Sequence, residues 1–341
     1  MAIKFEQTQH NARIVSVGAY RPKRVVPNSE IVDKIDSSDE WIVQRTGIRT
    51  RHYAAPDESL IDMTTKASEI ALERANLTGK DLDAVIFSTI SYPYQTPSAA
   101  TELLIRLGNE SAAAFDISAA CAGFSYAIGL ANDMIRNGSA KNVLVVGAER
   151  LSDFTDPYDR ATSFIFADGA GAAIVSASET QGIGPTIWGS NPENREAIMT
   201  RPSWLEFKDA EKLKAKLEAG EKVWPDIQQE GQKVFRWAVY SIAPIGNQAI
   251  AAAGISANDL SAFIPHQANE RIIDTLAKSM ELPDNVIIAR DIQDTGNTSA
   301  ASIPLAMDRL LAENPELHGK LALLIGFGAG LVYAGQVVEL P

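Results

Sequence analysis

The stretch ALERANLTGKDLDAVIF, residues 71–87, recurs as AIAAAGISANDLSAFIP, residues 249–265, at a constant offset of 178. The matches include Ala75 with Ala253, Asp81 with Asp259, Leu82 with Leu260, Ala84 with Ala262 and Ile86 with Ile264. Each copy reads as the end of a helix, a turn and a buried strand. At an offset of 179 the VVG that closes one apolar strand (145–147) meets the LIG that closes another (324–326), so similar elements recur in the same order. Helix-turn-strand segments resemble one another by chance, but chance does not hold an offset nearly constant. The chain reads as two copies of one α/β unit.

Around this repeat, short β-rich runs alternate with helical periodicity: strand DAVIFSTI, helix TELLIRLG, strand AAAFDIS, helix CAGFSYAIGLANDMI, strands NVLVVGAE and GAAIVSA. The strands are continuously apolar, as in a sheet covered on both faces. Residues 237–258 suit a buried helix ended by AAAG, and 321–338 suit two buried strands joined by a glycine turn rather than a membrane helix. Residues 190–230 change character, with loop-like NPENREAIMTRPSW followed by charged DAEKLKAKLEAGEKVW, and read as a surface excursion or lid. The expected division is an N-terminal half over 1–185, a connecting excursion over 186–230 and a C-terminal half over 231–341.

With 341 residues, 45% hydrophobic and 22% charged, the chain is long enough for two core-forming halves, and disorder, collagen and coiled coil are excluded. The net charge of −12 repels a phosphate backbone, so no nucleic-acid partner is expected. A single cysteine, Cys121, allows no intramolecular disulfide and no cysteine-rich zinc site. It suits a reducing compartment. The N-terminal MAIKFEQTQHNAR has no signal-peptide core, and the expectation is a cytoplasmic protein with no membrane partner and no metal.

Cys121 lies in DISAACAGFSYAIGL, between an apolar strand and a helix that opens on small residues. A thiol there meets the positive end of the helix dipole, which favours the nucleophilic thiolate. An inert core cysteine is the plain alternative, but Ala119, Ala120, Ala122 and Gly123 leave room for a substrate atom. Four histidines are available. His10 sits in a polar tail, His318 in a surface-like turn and His52 after an arginine-rich turn. His266 closely follows the strand LSAFI, where open α/β sheets place their working residues. Asn297, on the turn DTGNTSAAS, is either a cap or a functional amide. GFGAG, 326–330, is no dinucleotide fingerprint, because a strand follows it instead of a helix.

Taken together, SSDEWIVQRTGIRTRH, DISAACAGF, DPYDRATSFIFADGAGA, PHQANERI, GNTSAASIPLA and GFGAGLVYA resemble, in order and over essentially the whole chain, the β-ketoacyl-(acyl carrier protein) synthases III. The resemblance implies a thiolase-like fold, a duplicated βαβαβαββ unit in a five-layered αβαβα arrangement, and a homodimer. It implies a decarboxylative condensation of an acyl-CoA primer with malonyl-acyl carrier protein, initiating type II fatty acid synthesis, with acyl-CoA a substrate and no cofactor. It also implies a triad of Cys121, His266 and Asn297, with backbone amides of Cys121 and Ala329 as the oxyanion hole. Trp41, Arg45, Arg160 and Asn269 match positions that contact CoA, and Thr96 and Phe327 match positions of the acyl pocket. Arg236, Arg271 and Lys278 match a docking patch for the carrier protein.

Two features depart from the compact, acetyl-specific pattern. Thr96 in YPYQTPSAA replaces a phenylalanine, which implies a longer or branched primer, and the charged excursion around 204–224 is longer. Related chemistries are separated by residues. A thiolase needs a second cysteine, an elongating synthase a second histidine where Asn297 stands, and a hydroxymethylglutaryl-CoA synthase an acid that FSTISYPY lacks. A non-catalytic acyl-binding subunit typically lacks the nucleophile. The remaining alternative is a secondary-metabolism acyltransferase or condensing enzyme on the same fold.

Overall fold

The computed structural model describes residues 10–341. The first nine residues, which hold most of the segment read for a leader, lie outside the described residues, and His10 is exposed. Two five-stranded mixed sheets carry the architecture. In chain order the strands are β1 (Asn11–Tyr20), the short ribbon β2 (Arg24–Pro27) and β3 (Thr50–Tyr53), then β4 (Ala84–Ser88), β5 (Ala113–Ile117), β6 (Asn142–Arg150) and β7 (Asp168–Ser178). They continue with β8 (Ile187–Ser190), a second ribbon of β9 (Ile198–Arg201) and β10 (Asp226–Gln229), then β11 (Ala262–Pro265), β12 (Ile287–Ile288), β13 (Leu321–Gly328) and β14 (Val332–Glu339).

The sheets run β1-β7-β6-β4-β5 and β12-β11-β13-β14-β8, the same order read from opposite ends of the chain's pattern. In each, two strands pair in parallel with a central one and the others close the sheet antiparallel. Ala84 pairs with Val143 in the first sheet and Ala262 with Ala322 in the second, so equivalent residues stand 178 and 179 apart. The offsets read from sequence are therefore the register of the duplication. Even the turn before each central strand repeats, as reciprocal Thr78/Asp81 and Ser256/Asp259 capping boxes.

Burial explains the layers. Helices Leu60–Arg74 and Ala99–Arg106 press Leu60, Met63 and Leu103 onto Val85, Phe87 and Leu144 on one face of the first sheet. Its other face, with Ile86 and Val145, packs on helices Gly123–Arg136 and Ser302–Glu313. Those helices also cover Ile264 and Leu324 of the second sheet, and helices Gly231–Ala252 and Glu270–Ser279 close its far side through Trp237, Ile242 and Leu276. The result is five layers, αβαβα. Each fully buried Leu, Ile or Phe contributes about 1.5–3 kcal/mol, so the central pair of helices, buried from both sides, anchors whatever sits at its N-termini.

Three details differ from the sequence reading. Ile187–Ser190 is the edge strand of the second sheet, although it falls inside the segment taken as a connection. The helix expected from residue 237 starts at Gly231, because Val234 and Trp237 already bury on its inner face. The excursion is built on the β9–β10 ribbon, with helix Ala210–Glu218 at its tip. Trp224 fastens it to the body by stacking on Phe154 and donating to the Asp153 carbonyl at 2.8 Å. Among the described residues no helix is long and apolar enough to cross a membrane.

Candidate active site

Cys121 sits in the 3-10 turn Ala120–Ala122 that joins the end of β5 to the central helix Gly123–Arg136. Ala120 is held at φ 44°, in the left-handed region that costs a non-glycine residue about 1–2 kcal/mol. At that bend Cys121 is half-buried. The closing strand β13 reaches it only because it carries glycine there. A Cβ on Gly328 would stand 2.7 Å from Cys121 Cβ and 3.1 Å from its Sγ, and one on Gly326 would stand 2.8 Å from Ala122 Cα. The helix-terminal dipole was expected to favour the thiolate; burial works in the opposite direction and pushes the thiol up to about 12. The resting group is a neutral thiol.

His266 follows β11, its backbone N–H on the Ile325 carbonyl at 2.7 Å and its side chain 2% exposed. Burial pushes its imidazole down to about 3, so it is uncharged. Ser302 Oγ accepts the Gln267 backbone N–H at 3.2 Å and lies 2.7 Å from His266 Nδ1. Among the described residues Nδ1 is the one acceptor within reach of the Ser302 O–H, so the hydroxyl donates to Nδ1, which places the imidazole proton on Nε2. Gln267 holds the turn by donating to Pro265 O at 2.8 Å and accepting from Ile292 N at 3.1 Å.

Asn297 is tied by its backbone across the two halves, donating to Ile165 O and accepting from Ala167 N, each at 2.9 Å. Its Oδ1 accepts the Ser299 N–H at 2.8 Å. The carbonyl side of the amide is thus occupied and the Nδ2 hydrogens are left for a ligand. Both His266 and Asn297 are fixed as hydrogen-bond donors.

Cys121, His266 and Asn297 line one cleft of about 670 Å³, together with Phe327 and Ala329. The Phe327 ring meets His266 edge-on at 5.3 Å. Toward the mouth of the same cleft stand Trp41, Arg45, Arg160, Asn269, Arg236 and Arg271. The guanidinium carbons of Arg45 and Arg160 lie 4.7 and 5.4 Å from the Trp41 ring centre. A flat ring held between Trp41 and Arg160 needs about 7 Å, two contact distances, so Arg160 must swing outward to admit one. Asn269 caps helix Glu270–Ser279 through Arg271 N and donates to Arg45 O at 2.8 Å, tying the two rims together.

Two residues named from sequence lie elsewhere. Lys278 is exposed two turns along the helix from Arg271 and does not line the cleft. Thr96 is exposed and lines neither this cleft nor the cavity of about 660 Å³ beyond Ala120, where Tyr92, Tyr94 and Gln95 stand instead. The loop after β4 turns outward before reaching it. Sequence reasoning missed Ser302 and Gln267, which hold His266 and its turn, and Ser299, which lines the cleft and donates its N–H to Asn297 Oδ1. The excursion also contributes, since Ile198 and Ile227 at its base form part of the cleft wall. Among the described residues no group of three or more His, Cys, Asp and Glu is arranged to hold a metal ion.

Known proteins resemble this chain in sequence and in fold. The family models for 3-oxoacyl-(acyl-carrier-protein) synthase III match residues 115–192, and those for its C-terminal part match residues 250–340. The chain is 56% identical over 331 residues to a β-ketoacyl-(acyl-carrier-protein) synthase III of Streptomyces coelicolor, covering 97% of this chain and 96% of that protein. It is 51% identical over 328 residues to the mycobacterial β-ketoacyl-(acyl-carrier-protein) synthase III of Mycobacterium marinum, covering 96% and 95%. Among solved structures it resembles the priming β-ketosynthase of the R1128 polyketide pathway, with TM-score 0.93, 42% identity and coverage of 100% and 98%. The 3-oxoacyl-(acyl-carrier-protein) synthase III of Aquifex aeolicus superposes with TM-score 0.86 at 36% identity, covering 96% and 100%.

Proposed function

The chain belongs to the 3-oxoacyl-(acyl carrier protein) synthase III family, and from that premise we propose that Cys121, His266 and Asn297 carry out its two half-reactions. The enzyme is a condensing acyltransferase of thiolase-like fold that initiates fatty acid synthesis. Curated relatives at 51–56% identity over nearly the full length favour this over the secondary-metabolism alternative.

In the first half-reaction the Cys121 sulfur attacks the acyl-CoA thioester carbon and CoA leaves. The backbone N–H groups of Cys121 and Ala329 receive the oxyanion, a task indifferent to the alanine side chain. In the second, malonyl-carrier protein loses CO2 and its carbanion attacks the acyl-cysteine. The negative charge that develops on the malonyl thioester oxygen needs donors that are neutral and fixed. His266 Nε2–H and Asn297 Nδ2–H are such a pair, and their fixed donor geometry beside the only thiol is the observation that carries this reading.

Trp41, Arg45, Arg160 and Asn269 hold CoA at the mouth. Arg236 and Arg271 on the rim, with Lys278 beyond, receive the acidic carrier, a local attraction on a protein of net charge −12. The acyl chain runs past Phe327 and Ala120 toward the second cavity. Thr96 then reaches an acyl pocket only in a homodimer, by crossing to the partner subunit. Supporting that assembly, β5 is an unpaired sheet edge with half-exposed side chains, beside exposed Tyr94 and Ile105. The assembly is cytoplasmic in this reading, and acyl-CoA enters as substrate with no cofactor.

The test is intact-protein mass spectrometry after exposure to a panel of acyl-CoAs. We expect one acyl mass on Cys121, released with CO2 when malonyl-carrier protein is added. Condensation that persists in Cys121→Ser overturns the assignment.

A further inference from the structure

The chemistry above leaves one proton without a place. Cys121 rests as a neutral thiol, and His266, uncharged by burial, is a poor proton acceptor. The structure offers another group. Glu149, at the end of β6, is fully buried, and its partners are hydroxyls and a backbone amide rather than a cation. Its Oε2 accepts from Thr89 Oγ1 at 3.1 Å, Ile90 N at 3.1 Å and Ser91 Oγ at 2.5 Å. Its Oε1 receives only the long arm of the Ile90 bond, at 3.3 Å. One carboxylate oxygen is nearly free in a buried site, an arrangement that costs about 1–3 kcal/mol unless it serves something.

Ser299 supplies the second observation. It is 1% exposed, held at φ 49°, and its Oγ has no partner of ordinary hydrogen-bond geometry. It lines the cleft beside Cys121, and its turn, Ser299–Ala301, packs on both β6, which carries Glu149, and the Ala120–Ala122 turn, which carries Cys121; a hydroxyl there favours the charged form of each. The turn that carries an unpartnered hydroxyl thus packs against both the strand of the under-bonded carboxylate and the turn of the nucleophile. Other charges nearby are engaged elsewhere. On the flanking strand, Gly169 faces Glu149 and Asp168 binds Ser152 and Ala54 N, while Arg150 turns to Glu58 O and Asp153.

We propose that Glu149 stores the Cys121 proton between the two half-reactions, through Ser299. As Sγ bonds to the acyl carbon, the S–H proton passes to Ser299 Oγ and the serine proton passes to Glu149 Oε1. The carbon–sulfur bond to CoA breaks, and the CoA thiolate takes a proton from water. In the condensation the malonyl C–C bond breaks, its electron pair forms the new bond to the acyl carbon, and Cys121 leaves as thiolate. The proton returns from Glu149 through Ser299 to Sγ. Glu149 acts through Ser299 and touches no substrate, so it is a positioning residue. Burial raises its carboxyl to about 7, which suits a group that must both take and return a proton near neutrality.

This inference rests on Cys121 being the nucleophile, and one experiment separates the two. The rate of single-turnover acylation by acyl-CoA is read by intact mass from pH 5 to 9, with Glu149→Gln, Glu149→Asp and Ser299→Ala. Absence of any acyl mass on the wild-type protein refutes the nucleophile itself. If the nucleophile stands, wild-type acylation rises through about pH 7. Glu149→Gln loses at least about 100-fold and that inflection, Glu149→Asp restores part of both, and CoA affinity is unchanged. Ser299→Ala shows the same loss and carries the test if Glu149→Gln fails to fold. Wild-type rates in Glu149→Gln or Ser299→Ala, or an equal loss at every pH with the inflection kept, overturn the proposal.

Discussion

Removing one hydroxyl tests whether His266 acts as a fixed donor. In Ser302→Ala, Nδ1 loses its 2.7 Å partner and the Gln267 N–H loses its 3.2 Å acceptor, while the substituted methyl still fills most of the site. A buried donor or acceptor left unmade costs about 1–3 kcal/mol. Without the serine O–H nothing holds the imidazole proton on Nε2, and the tautomer with the proton on Nδ1 presents a lone pair where the malonyl thioester oxygen needs a donor. Since each 1.36 kcal/mol is tenfold in rate, decarboxylative condensation falls by about 5–150-fold. Acylation of Cys121 precedes this need and changes little. The assay begins with acyl-enzyme verified by mass, then follows CO2 release from malonyl-carrier protein, with acylation measured separately. A condensation rate equal to wild type, or an equal loss in both half-reactions, refutes the tautomer argument.

Gly328→Ala drives a Cβ to 2.7 Å from Cys121 Cβ, and acylation should fall by about 10–100-fold in a protein that still folds, as seen by intact mass and thermal melting. Arg271→Glu should raise KM for malonyl-carrier protein and leave acyl-CoA turnover in place; equal effects on both substrates would dismiss the docking assignment. His266 is held near 3 against an ordinary 6.5, so its contribution is fully present above pH 6.5 and is lost as pH falls toward 3, at roughly 1 kcal/mol per pH unit. Asp168, raised by burial to about 6, has the opposite sign over pH 6 to 4, because the fold there holds a proton that the unfolded chain releases. Urea melts at pH 7 and 5 should therefore show His266→Gln losing less stability on acidification than wild type.

The fold was legible because duplication writes itself as an offset, and the strands are apolar enough to be seen without context. Cys121, His266 and Asn297 were legible for a related reason: each follows a strand or opens a central helix, where backbone geometry leaves few roles for a reactive side chain. What sets their protonation was hidden. Ser302, Ser299 and Gln267 are common residues in common turns, and their meaning lies in contacts from 25 to over 100 residues away. Glu149 looked like the end of an apolar strand, and only burial reveals that its carboxylate has no cation. The dipole argument for Cys121 named a real effect but could not weigh it against desolvation, which needs the depth of the site. Thr96 is a different case: in the single chain it is exposed and lines neither cavity, so its acyl-pocket role stands or falls with the proposed homodimer.

The duplication also explains where the chemistry resides. At an offset of 179 the turn carrying Cys121 falls on the turn after Asn297: Ala120 matches Ser299, and both hold positive φ, at 44° and 49°. Gly123 matches Ser302, and at 178 Ser88 matches His266. In the first half a Cβ on Gly123 would lie 1.7 Å from Ser88 Oγ, while in the second half the corresponding pair is Ser302 Oγ on His266 Nδ1. The backbone contact is the same, and the side chains have been exchanged so that one copy leaves room and the other makes a hydrogen bond. Glu149 likewise matches Gly328. One copy brings a bare glycine against the nucleophile, and the other brings a buried carboxylate toward the equivalent turn. Cys121 itself matches Ala300 at 179, so the two copies differ at five of these positions, and those differences supply the proposed nucleophile, the neutral donor and the buried carboxylate. A symmetric pair would supply none of them, because each role depends on the opposite turn lacking what its partner has.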